Sequence, residues 1–267
     1  MTIRAQRALS SRDVRRVVID QAFRAGVGHI GSALSIVDLL VALYGDPTIH
    51  LGPNDEPSAD RLILSKGHAA LALYAVLFLC GSMTEDQLST YCGDGTLLGV
   101  HPERALPGIH FSTGSLGHGL PMGAGVALGG RMQGTADRTF VLMSDAECNE
   151  GSVWEAAMFA GHHRLSNLIG IVDLNGQQAL GHTRDVLSLA PLAAKWKAFG
   201  WDVHELDGHD IEAIRAAIAA PEVGAPRIIL ASTTFGKGVS YMENSIAWHY
   251  QPMTAEQHAA AIHEINR

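Results

Sequence analysis

Hydrophobic residues in the first third of the chain recur at every third or fourth position, the spacing of a helix with one buried face. The clearest case runs from Arg12 to Ala25 and ends at Gly26, a residue type that commonly follows the last turn of a helix. The same reasoning predicts a short buried strand at Arg61–Ser65 and further helices at Ser35–Tyr44, Ala69–Leu79 and Thr84–Tyr91. We therefore expect a helical N-terminal segment over about residues 1–60.

From residue 139 onward, short apolar runs alternate with helical patterns. The predicted strands are Thr139–Met143, Leu168–Asp173, Asp202–Leu206 and Arg227–Ser232, and the predicted helices are Ser152–His163, Val186–Phe199, Ile211–Ala220 and Thr254–Ile265. A glycine-rich block at Ser112–Gly130 predicts a tightly packed helix after a turn that exposes the backbone. The alternation predicts an α/β fold, with a parallel sheet covered by helices on both faces.

Polar and glycine residues follow four of the predicted strands. These segments are Ser65–His68, Ser144–Asp145, Leu174–Gly176 and Thr233–Gly238. In parallel sheets of this kind, ligands bind beyond the carboxyl ends of the strands. We therefore expect the functional site at this edge of the sheet.

Composition narrows the possible functions. The 267 residues are 47% hydrophobic and 17% charged, which suits one large domain or two small ones. A net charge of −8 without long runs of Lys or Arg argues against a nucleic-acid surface. The longest apolar run, Ala69–Cys80, is too short to cross a bilayer, the N-terminus lacks the apolar core of a signal peptide, and the three cysteines have no disulfide or zinc spacing. We expect a cytoplasmic protein that binds neither nucleic acid nor membrane.

The segment GVGHIG at Gly26–Gly31 matches the glycine pattern of dinucleotide-binding loops. That interpretation needs a strand before the glycines, and here a predicted helix precedes them. His29 is nevertheless a candidate site residue, because the flanking glycines leave its imidazole open to a ligand.

Asp145 ends one predicted strand and Asn175 ends the next. If these strands are neighbours, a carboxylate and an amide oxygen face one crevice, and such hard ligands suit Mg²⁺ bound to phosphate groups. The helix predicted from Ser152 points its N-terminus at the same edge, where it favours an anion. Spacing alone leaves a second interpretation open, in which Asp145 and Asn175 only cap turns.

The stretch from Ser144 to Gly181 resembles the thiamine diphosphate fingerprint, a GDG turn followed after a spacer by a segment with asparagine. Further segments, in family order, resemble motifs of transketolases, and most closely of the N-terminal subunits of split transketolases. They are GHIG (Gly28–Gly31), LSKGHAALALYAVL (from Leu64), VHPE (Val100–Glu103), FSTGSLGHGL (from Phe111) and GKGVSYMENSIAWH (from Gly236). The matches span nearly the whole chain, so their combination is specific although each is weak alone.

The resemblance implies a site for thiamine diphosphate and Mg²⁺, with the metal bound by Asp145, Asn175 and the carbonyl of Gln177. The other implied roles are diphosphate contacts from the backbone of Ala146 and its neighbour Glu147 and from His68 and His249, a thiazole and pyrimidine path along Gly114, Ser115 and Leu116, catalytic contacts to substrate from His29, His101 and His249, and an acid at the subunit interface at Glu150. We interpret the side chain of Glu147 as that of a polar turn residue.

Three positions depart from the family pattern. Ala146 stands where a glycine approaches phosphate, which requires a negative φ there; His118 replaces a glutamine, and Tyr250 replaces a glycine. These departures indicate an altered pocket or a specialised substrate. Other histidines and one cysteine are interpreted as packing, loop or surface residues: His110, His118, His162, His163, His182, His204, His209 and Cys148.

In this family a glutamate on a second, pyrimidine-binding domain activates the cofactor, and that domain is missing from this sequence. The resemblance therefore implies a single diphosphate-binding domain over residues 1–267 that is inactive alone. A C-terminal partner subunit would supply the glutamate in an α2β2 assembly. The implied reaction transfers a two-carbon ketol unit from a ketose or ketose phosphate to an aldose or aldehyde acceptor.

Two alternatives stay open. One is another thiamine diphosphate reaction, that of a 2-oxo-acid dehydrogenase α-subunit or a deoxyxylulose-phosphate synthase, against which the VHPE and STGSLG motifs argue. The other is a non-catalytic relative that binds or regulates a partner, against which the intact Asp145, Asn175 and His68 argue.

Overall fold

A computed structural model describes residues 9–52 and 59–267. Within these ranges the helices are α1 Ser11–Ala25, α2 Ile30–Ser35, α3 Val37–Gly45, α4 Ala70–Leu79, α5 Glu85–Leu88, α6 Gly119–Gln133, α7 Gly151–His162, α8 Thr183–Val186, α9 Leu192–Ala198, α10 Ile211–Ala219 and α11 Ala255–Ile265. The strands are β1 Arg61–Leu64, β2 Thr139–Ser144, β3 Leu168–Leu174, β4 Gln177–Gln178, β5 Gly181–His182, β6 Asp202–Asp207 and β7 Arg227–Ser232. Residues 1–8 and 53–58, which include parts of the predicted helical N-terminal segment, lie outside the described residues.

Five strands form a parallel sheet in the order β1-β2-β3-β7-β6. Ser144 at the end of β2 pairs with Asp173 near the end of β3, so the residues that follow these two strands meet at one edge. The predicted α/β fold is therefore confirmed, and β2 and β3 are neighbours. The short strands β4 and β5 form a separate antiparallel hairpin directly after β3.

Alternate side chains of β2 enter two different hydrophobic clusters, one on each face of the sheet. Phe140 and Leu142 belong to the cluster that contains helices α1 to α4, α10 and α11. Val141 and Met143 belong to the cluster that contains α6, α7 and α9. Burial of each such side chain stabilises the fold by about 1.5–3 kcal/mol. Both faces are covered, which explains why the strands read as continuous apolar runs.

The glycine-rich block forms α6 after a turn, as the sequence predicts. A Cβ at Gly123 would lie 2.4 Å from Cγ2 of Val141, so the helix packs onto β2 at a distance that only glycine allows there. Gly26 adopts a φ of 64° directly after α1, which confirms it as the predicted helix stop. Among the described residues, the structure has no helix of the length and apolarity needed to span a membrane.

Two predicted helices differ from the structure. The segment predicted as Ser35–Tyr44 begins earlier and consists of α2 and α3, which meet at Ile36. The predicted helix Val186–Phe199 is wrong, because α8 ends at Val186 and residues 187–191 are not helical. Pro191 has no N–H to donate and disfavours helical backbone at the residue before it, so α9 begins only after this proline.

Candidate active site

Asp145 lies at the carboxyl end of β2, in contact with the turn that follows β3. Its Oδ2 accepts hydrogen bonds from the N–H of Gly176 at 2.9 Å and the hydroxyl of Thr183 at 3.0 Å, and its Oδ1 accepts from the N–H of Ala146 at 2.8 Å. Asp145 is only 2% exposed. Burial, and next the charge of Asp173, raise the pKa of Asp145 to about 6. This buried carboxylate is in an environment that a cation would stabilise.

Asn175 and Gln177 belong to the same turn. Oδ1 of Asn175 accepts from the N–H of Gln177 at 2.9 Å, and Nδ2 of Asn175 donates to Oδ2 of Asp173 at 2.8 Å. Gly176 between them adopts a φ of 71°, which turns the chain back towards Asp145. One turn thus brings together the three residues that the sequence predicts as metal ligands.

The donors of this turn fit Mg²⁺, because a carboxylate, an amide oxygen and a main-chain carbonyl are hard ligands. The charge balance points the same way. Asp145, Glu147 and Asp173 are buried carboxylates, and Lys66 is the buried ammonium that pairs with Asp173. Within residues 9–52 and 59–267, no group of three or more His, Cys, Asp or Glu side chains forms a metal site. A metal here would therefore depend on amide and carbonyl oxygens besides Asp145.

Three histidines from distant parts of the chain form one cluster. The ring centroids of His29 and His249 lie 5.0 Å apart, those of His29 and His68 5.5 Å, and those of His68 and His249 5.6 Å. The Nδ1 atoms of His29 and His249 are buried and have no hydrogen-bond partner among the described residues. Buried polar atoms in proteins are nearly always paired, so these two nitrogens are available to a polar ligand.

The surroundings keep these rings uncharged near neutral pH. Burial, and next the charge of Lys66, hold the pKa of His68 well below its ordinary value. Burial and the neighbouring His29 lower the pKa of His249 to about 4, and burial and His101 lower the pKa of His29. A neutral imidazole has one donor and one acceptor nitrogen, so each ring can bind a hydroxyl or accept a proton.

His101 lies on an exposed segment beside the glycine-rich loop. A Cβ at Gly114 would lie 3.3 Å from Cδ2 of His101, so this ring packs against the loop. The hydroxyl of Tyr74 donates to the carbonyl of His101 at 2.9 Å and fixes the segment. Ser115 is exposed and Leu116 is half-buried on the same loop. The structure therefore places the predicted ring path of the cofactor next to one predicted substrate histidine.

Glu147 is fully buried, so its interpretation as a polar turn residue is wrong. Its carboxylate accepts hydrogen bonds from the hydroxyl of Ser65 and from the N–H groups of Gly117 and Ser144, the latter two at 2.9 Å. These contacts tie the ends of β1 and β2 to the glycine-rich loop. Since all of them lie inside the protein, Glu147 has only its main chain to offer to a cofactor.

The departures at Ala146 and Tyr250 have clear structural settings. Ala146 begins a short 3₁₀ turn and is not among the residues with positive φ, so alanine meets the requirement at this position. The hydroxyl of Tyr250 donates to the carbonyl of Ala179 at 2.7 Å. Tyr250 thereby connects the segment of His249 to the β4–β5 hairpin, which begins at Gln177.

An apolar groove of about 590 Å³ lies between α6 and α7. It is lined by His118, Pro121, Met122, Ala124, Gly125, Ser152, Glu155, Ala156 and Phe159. Glu150 is exposed near one end of this groove, where a Cβ at Gly117 would lie 2.6 Å from Cβ of Glu150. The side chains of Phe159 and its neighbour Met158 are 41% and 56% exposed. The groove is thus an exposed apolar surface that adjoins the predicted interface acid.

The sequence interpretation missed a buried ion pair between Lys66 and Asp173. Nζ of Lys66 lies 2.5 Å from Oδ2 of Asp173, and both side chains are 0% exposed. Asp173 also accepts hydrogen bonds from the hydroxyls of Ser35 and Thr233. The signal was a lysine directly after a buried strand and an aspartate within an apolar one, since charges at such positions need partners.

A family described as "Transketolase, thiamine diphosphate binding domain" matches residues 6–265. A subunit of the apulose-4-phosphate transketolase of Phocaeicola vulgatus is 39% identical over 262 residues, which cover 97% of this chain and 93% of that protein. The 6-deoxy-6-sulfo-D-fructose transketolase subunit SqwG of Clostridium sp. is 40% identical over 259 residues, which cover 95% and 94% of the two chains.

Solved structures of transketolases are similar to this chain. The Campylobacter jejuni enzyme superposes with a TM-score of 0.88 at 28% identity, over 96% of this chain and 42% of that chain. The Leishmania mexicana enzyme superposes with a TM-score of 0.86 at 27% identity, over 96% and 41%. This chain therefore spans about two fifths of the length of these solved structures.

Proposed function

Since this chain belongs to the transketolase family, as a thiamine diphosphate-binding domain, we propose that it is the N-terminal subunit of a split transketolase. With a C-terminal partner it transfers a two-carbon ketol unit from a ketose or ketose phosphate to an aldose or aldehyde acceptor. One observation carries the proposal: the Asp145 turn and a cluster of neutral histidines occupy the same edge of the sheet.

Thiamine diphosphate and Mg²⁺ are the proposed cofactors. Asp145, Asn175 and the carbonyl of Gln177 hold the metal, which the buried, uncompensated charge of Asp145 supports. The N–H of Ala146, with His68 and His249, contacts the diphosphate. The loop Gly114–Leu116 lies along the thiazole and pyrimidine rings.

Bound thiamine diphosphate supplies the electron sink that allows a carbon–carbon bond next to a carbonyl to break. The residues of this chain orient the sugar and move its protons. The unpaired Nδ1 atoms of His29 and His249 accept hydrogen bonds from substrate hydroxyls, and a neutral ring beside a hydroxyl acts as a general base. His101, at the exposed side of the cluster, contacts the part of the sugar nearer to solvent.

The proposed partner supplies the pyrimidine-binding domain and the activating glutamate, in an α2β2 assembly. Two relatives of nearly the same length carry the word subunit in their names, which supports this division of the enzyme. We assign the groove between α6 and α7 to the partner, with Glu150 at its edge. Exposed Phe159 gives this surface an apolar anchor, and Gly125, whose Cβ position is open space, allows a second helix to approach closely.

The substrates are proposed to be sugars or sugar phosphates of a specialised kind. The names of the two relatives specify apulose 4-phosphate and 6-deoxy-6-sulfo-D-fructose as their substrates. In this chain the departure at Tyr250 changes the wall beside His249, which supports a pocket adapted to its own sugar. We further propose that residues 1–267 act as one diphosphate-binding domain in the cytoplasm, a location that the three unpaired cysteines support.

A donor screen tests the proposal. The chain is expressed together with its partner and supplied with Mg²⁺, thiamine diphosphate, an aldehyde acceptor and either ketose phosphates or 2-oxo acids. We expect ketol transfer from a ketose that requires both cofactors. Turnover of 2-oxo acids without any ketose activity would instead support a different thiamine diphosphate reaction. Failure of the complex to bind thiamine diphosphate would support a non-catalytic role.

A further inference from the structure

The carboxylate of Asp173 holds together three segments of the site. Its Oδ2 accepts from Nζ of Lys66 at 2.5 Å, from the hydroxyl of Ser35 at 2.8 Å and from Nδ2 of Asn175 at 2.8 Å. Its Oδ1 accepts from the hydroxyl of Thr233. Both oxygens are therefore occupied, and Asp173 has no free lone pair directed at a ligand. Its role is to hold neighbouring groups rather than to bind a metal itself.

We propose that the buried pair Lys66–Asp173 is a positioning device that sets the orientation of Asn175 and keeps it in register with the histidine cluster. The inference rests on the proposed function, in which Asn175 is a ligand of Mg²⁺. An asparagine amide has a donor end and an acceptor end that are nearly the same size. Because Asp173 takes a hydrogen bond from Nδ2, the amide oxygen must point the other way, where a metal can use it.

Lys66 makes this orientation stable. Without a cation, a buried carboxylate is costly and tends to take up a proton, and a protonated Asp173 would compete with Asn175 as a donor. Nζ of Lys66 also donates to the carbonyl of Ser32 at 3.2 Å, so the ammonium is anchored on α2 as well. The pair thus fixes on which side of the turn the Asn175 oxygen lies.

The same pair connects the metal turn with the histidines. Lys66 precedes His68 by two residues, on the turn after β1. Ser35 is the last residue of α2, the helix that begins directly after His29. Asp173 precedes Asn175 by two residues, at the end of β3. A shift of the pair would therefore move metal ligand and histidines relative to one another.

The experiment compares Asp173→Asn and the double variant Lys66→Met/Asp173→Asn with Asp60→Asn. Asp60 is a matched control, because it is also a buried aspartate in an ion pair, with Arg138 at 2.8 Å, but it precedes β1 at the opposite edge of the sheet. Mg²⁺ is titrated calorimetrically into each complex with the partner subunit, at saturating thiamine diphosphate. Thermal unfolding and a crystal structure are recorded for each variant.

We expect both Asp173 variants to bind Mg²⁺ about 10–100-fold more weakly, as for other groups that orient metal ligands, while Asp60→Asn binds it as the wild type does. The double variant removes both buried charges, so it should regain thermal stability over Asp173→Asn but not Mg²⁺ affinity. Equal Mg²⁺ affinity in all variants, or recovery in the double variant, overturns the inference and leaves the pair a structural one.

The crystal structures keep the inference separate from the proposed function. If even the wild-type complex binds no Mg²⁺, the proposed function fails, and the position of Asn175 still decides the inference. A turned amide or a displaced 175–177 turn in Asp173→Asn, absent from Asp60→Asn, supports it. An unchanged Asn175 in both variants overturns it.

Discussion

The backbone N–H of His29 donates a hydrogen bond to the carbonyl of His249 at 3.1 Å, which joins the beginning and the end of the chain at the site. His29 has a φ of 61°, in the left-handed region that non-glycine residues rarely adopt. Beside it, a Cβ at Gly28 would lie 2.6 Å from the carbonyl oxygen of Tyr250. A strained backbone that persists in such close packing is typical of functional sites.

Replacement of His29 by asparagine should separate its chemical role from its structural one. Asparagine tolerates the left-handed conformation, so we expect thermal stability close to that of the wild type. The imidazole is lost, and ketol transfer by the complex should fall by about 10²–10⁴-fold. Steady-state kinetics and thermal unfolding measure both quantities. Near-wild-type turnover in a folded His29→Asn variant would remove His29 from the proposed mechanism.

Asp145→Asn should stabilise the metal-free chain while it abolishes activity. The raised pKa means that the folded protein binds more protons than the unfolded one between about pH 4 and 6, so stability is lost as the pH rises through about 6. A rise of the pKa from 3.8 to about 6 corresponds to about 3 kcal/mol at neutral pH. An amide cannot accept all three hydrogen bonds of Asp145, so we expect a net gain of about 1 kcal/mol.

Urea unfolding with a chelator present, at about pH 7, measures this difference. Asp145→Ala is the control, because it removes the charge but leaves the donors of Gly176 and Thr183 without a partner. Lower stability of Asp145→Asn than of the wild type would contradict the view that Asp145 carries an uncompensated charge.

The histidine cluster should make the fold sensitive to acid. Since the pKa values of His29, His68 and His249 are lowered, the folded protein binds fewer protons than the unfolded one below about pH 6.5. Their contribution to stability is present above that pH and is lost as the pH falls, for His249 through about 4. Asp145 opposes this trend, so the Asp145→Asn background isolates it. There, the free energy of unfolding should decrease steadily from about pH 7 to about pH 4.5.

Nuclear magnetic resonance of the ring C–H signals provides a direct check on the same groups. The signal of His249 should titrate with a midpoint at about 4. Midpoints near the ordinary value for all three rings would show that the cluster is open to water.

Phe159→Asp should weaken the association with the partner subunit. Phe159 lines the groove between α6 and α7 and is 41% exposed, so a charge there costs little in the isolated chain. In the complex the charge would be buried, and we expect the dissociation constant to rise at least about 30-fold. Met132→Asp is the matched control, because Met132 is on α6, is 81% exposed and lies outside the groove lining. Equal weakening by both variants, or by neither, would place the partner elsewhere.

Much of the fold follows from local patterns in the sequence. The parallel sheet was predictable because buried strands read as apolar runs and helices alternate with them. The site edge followed from the rule for strand ends, which singled out Asp145 and Asn175. The helix break at Pro191 was equally local and should have been read from the proline.

The remaining parts of the site depend on contacts between distant segments. Glu147 is buried because Ser65 and Gly117 reach its carboxylate from other turns, and spacing does not reveal such partners. Lys66 is buried because Asp173 comes to lie beside it, and only the sheet order β1-β2-β3 creates that meeting. Buried charges are therefore the features that sequence reasoning identifies least well, since tertiary packing decides whether a charge finds its partner.

The most direct measurement of the central claim is ketol transfer by this chain alone, by its C-terminal partner alone and by the two together, with Mg²⁺ and thiamine diphosphate in each sample. Transfer of a two-carbon unit from a ketose phosphate to an aldehyde should appear only in the mixed sample. It should vanish when the mixture contains Asp145→Ala in place of the wild-type chain. Transfer by this chain alone, or undiminished transfer with Asp145→Ala, would contradict the account.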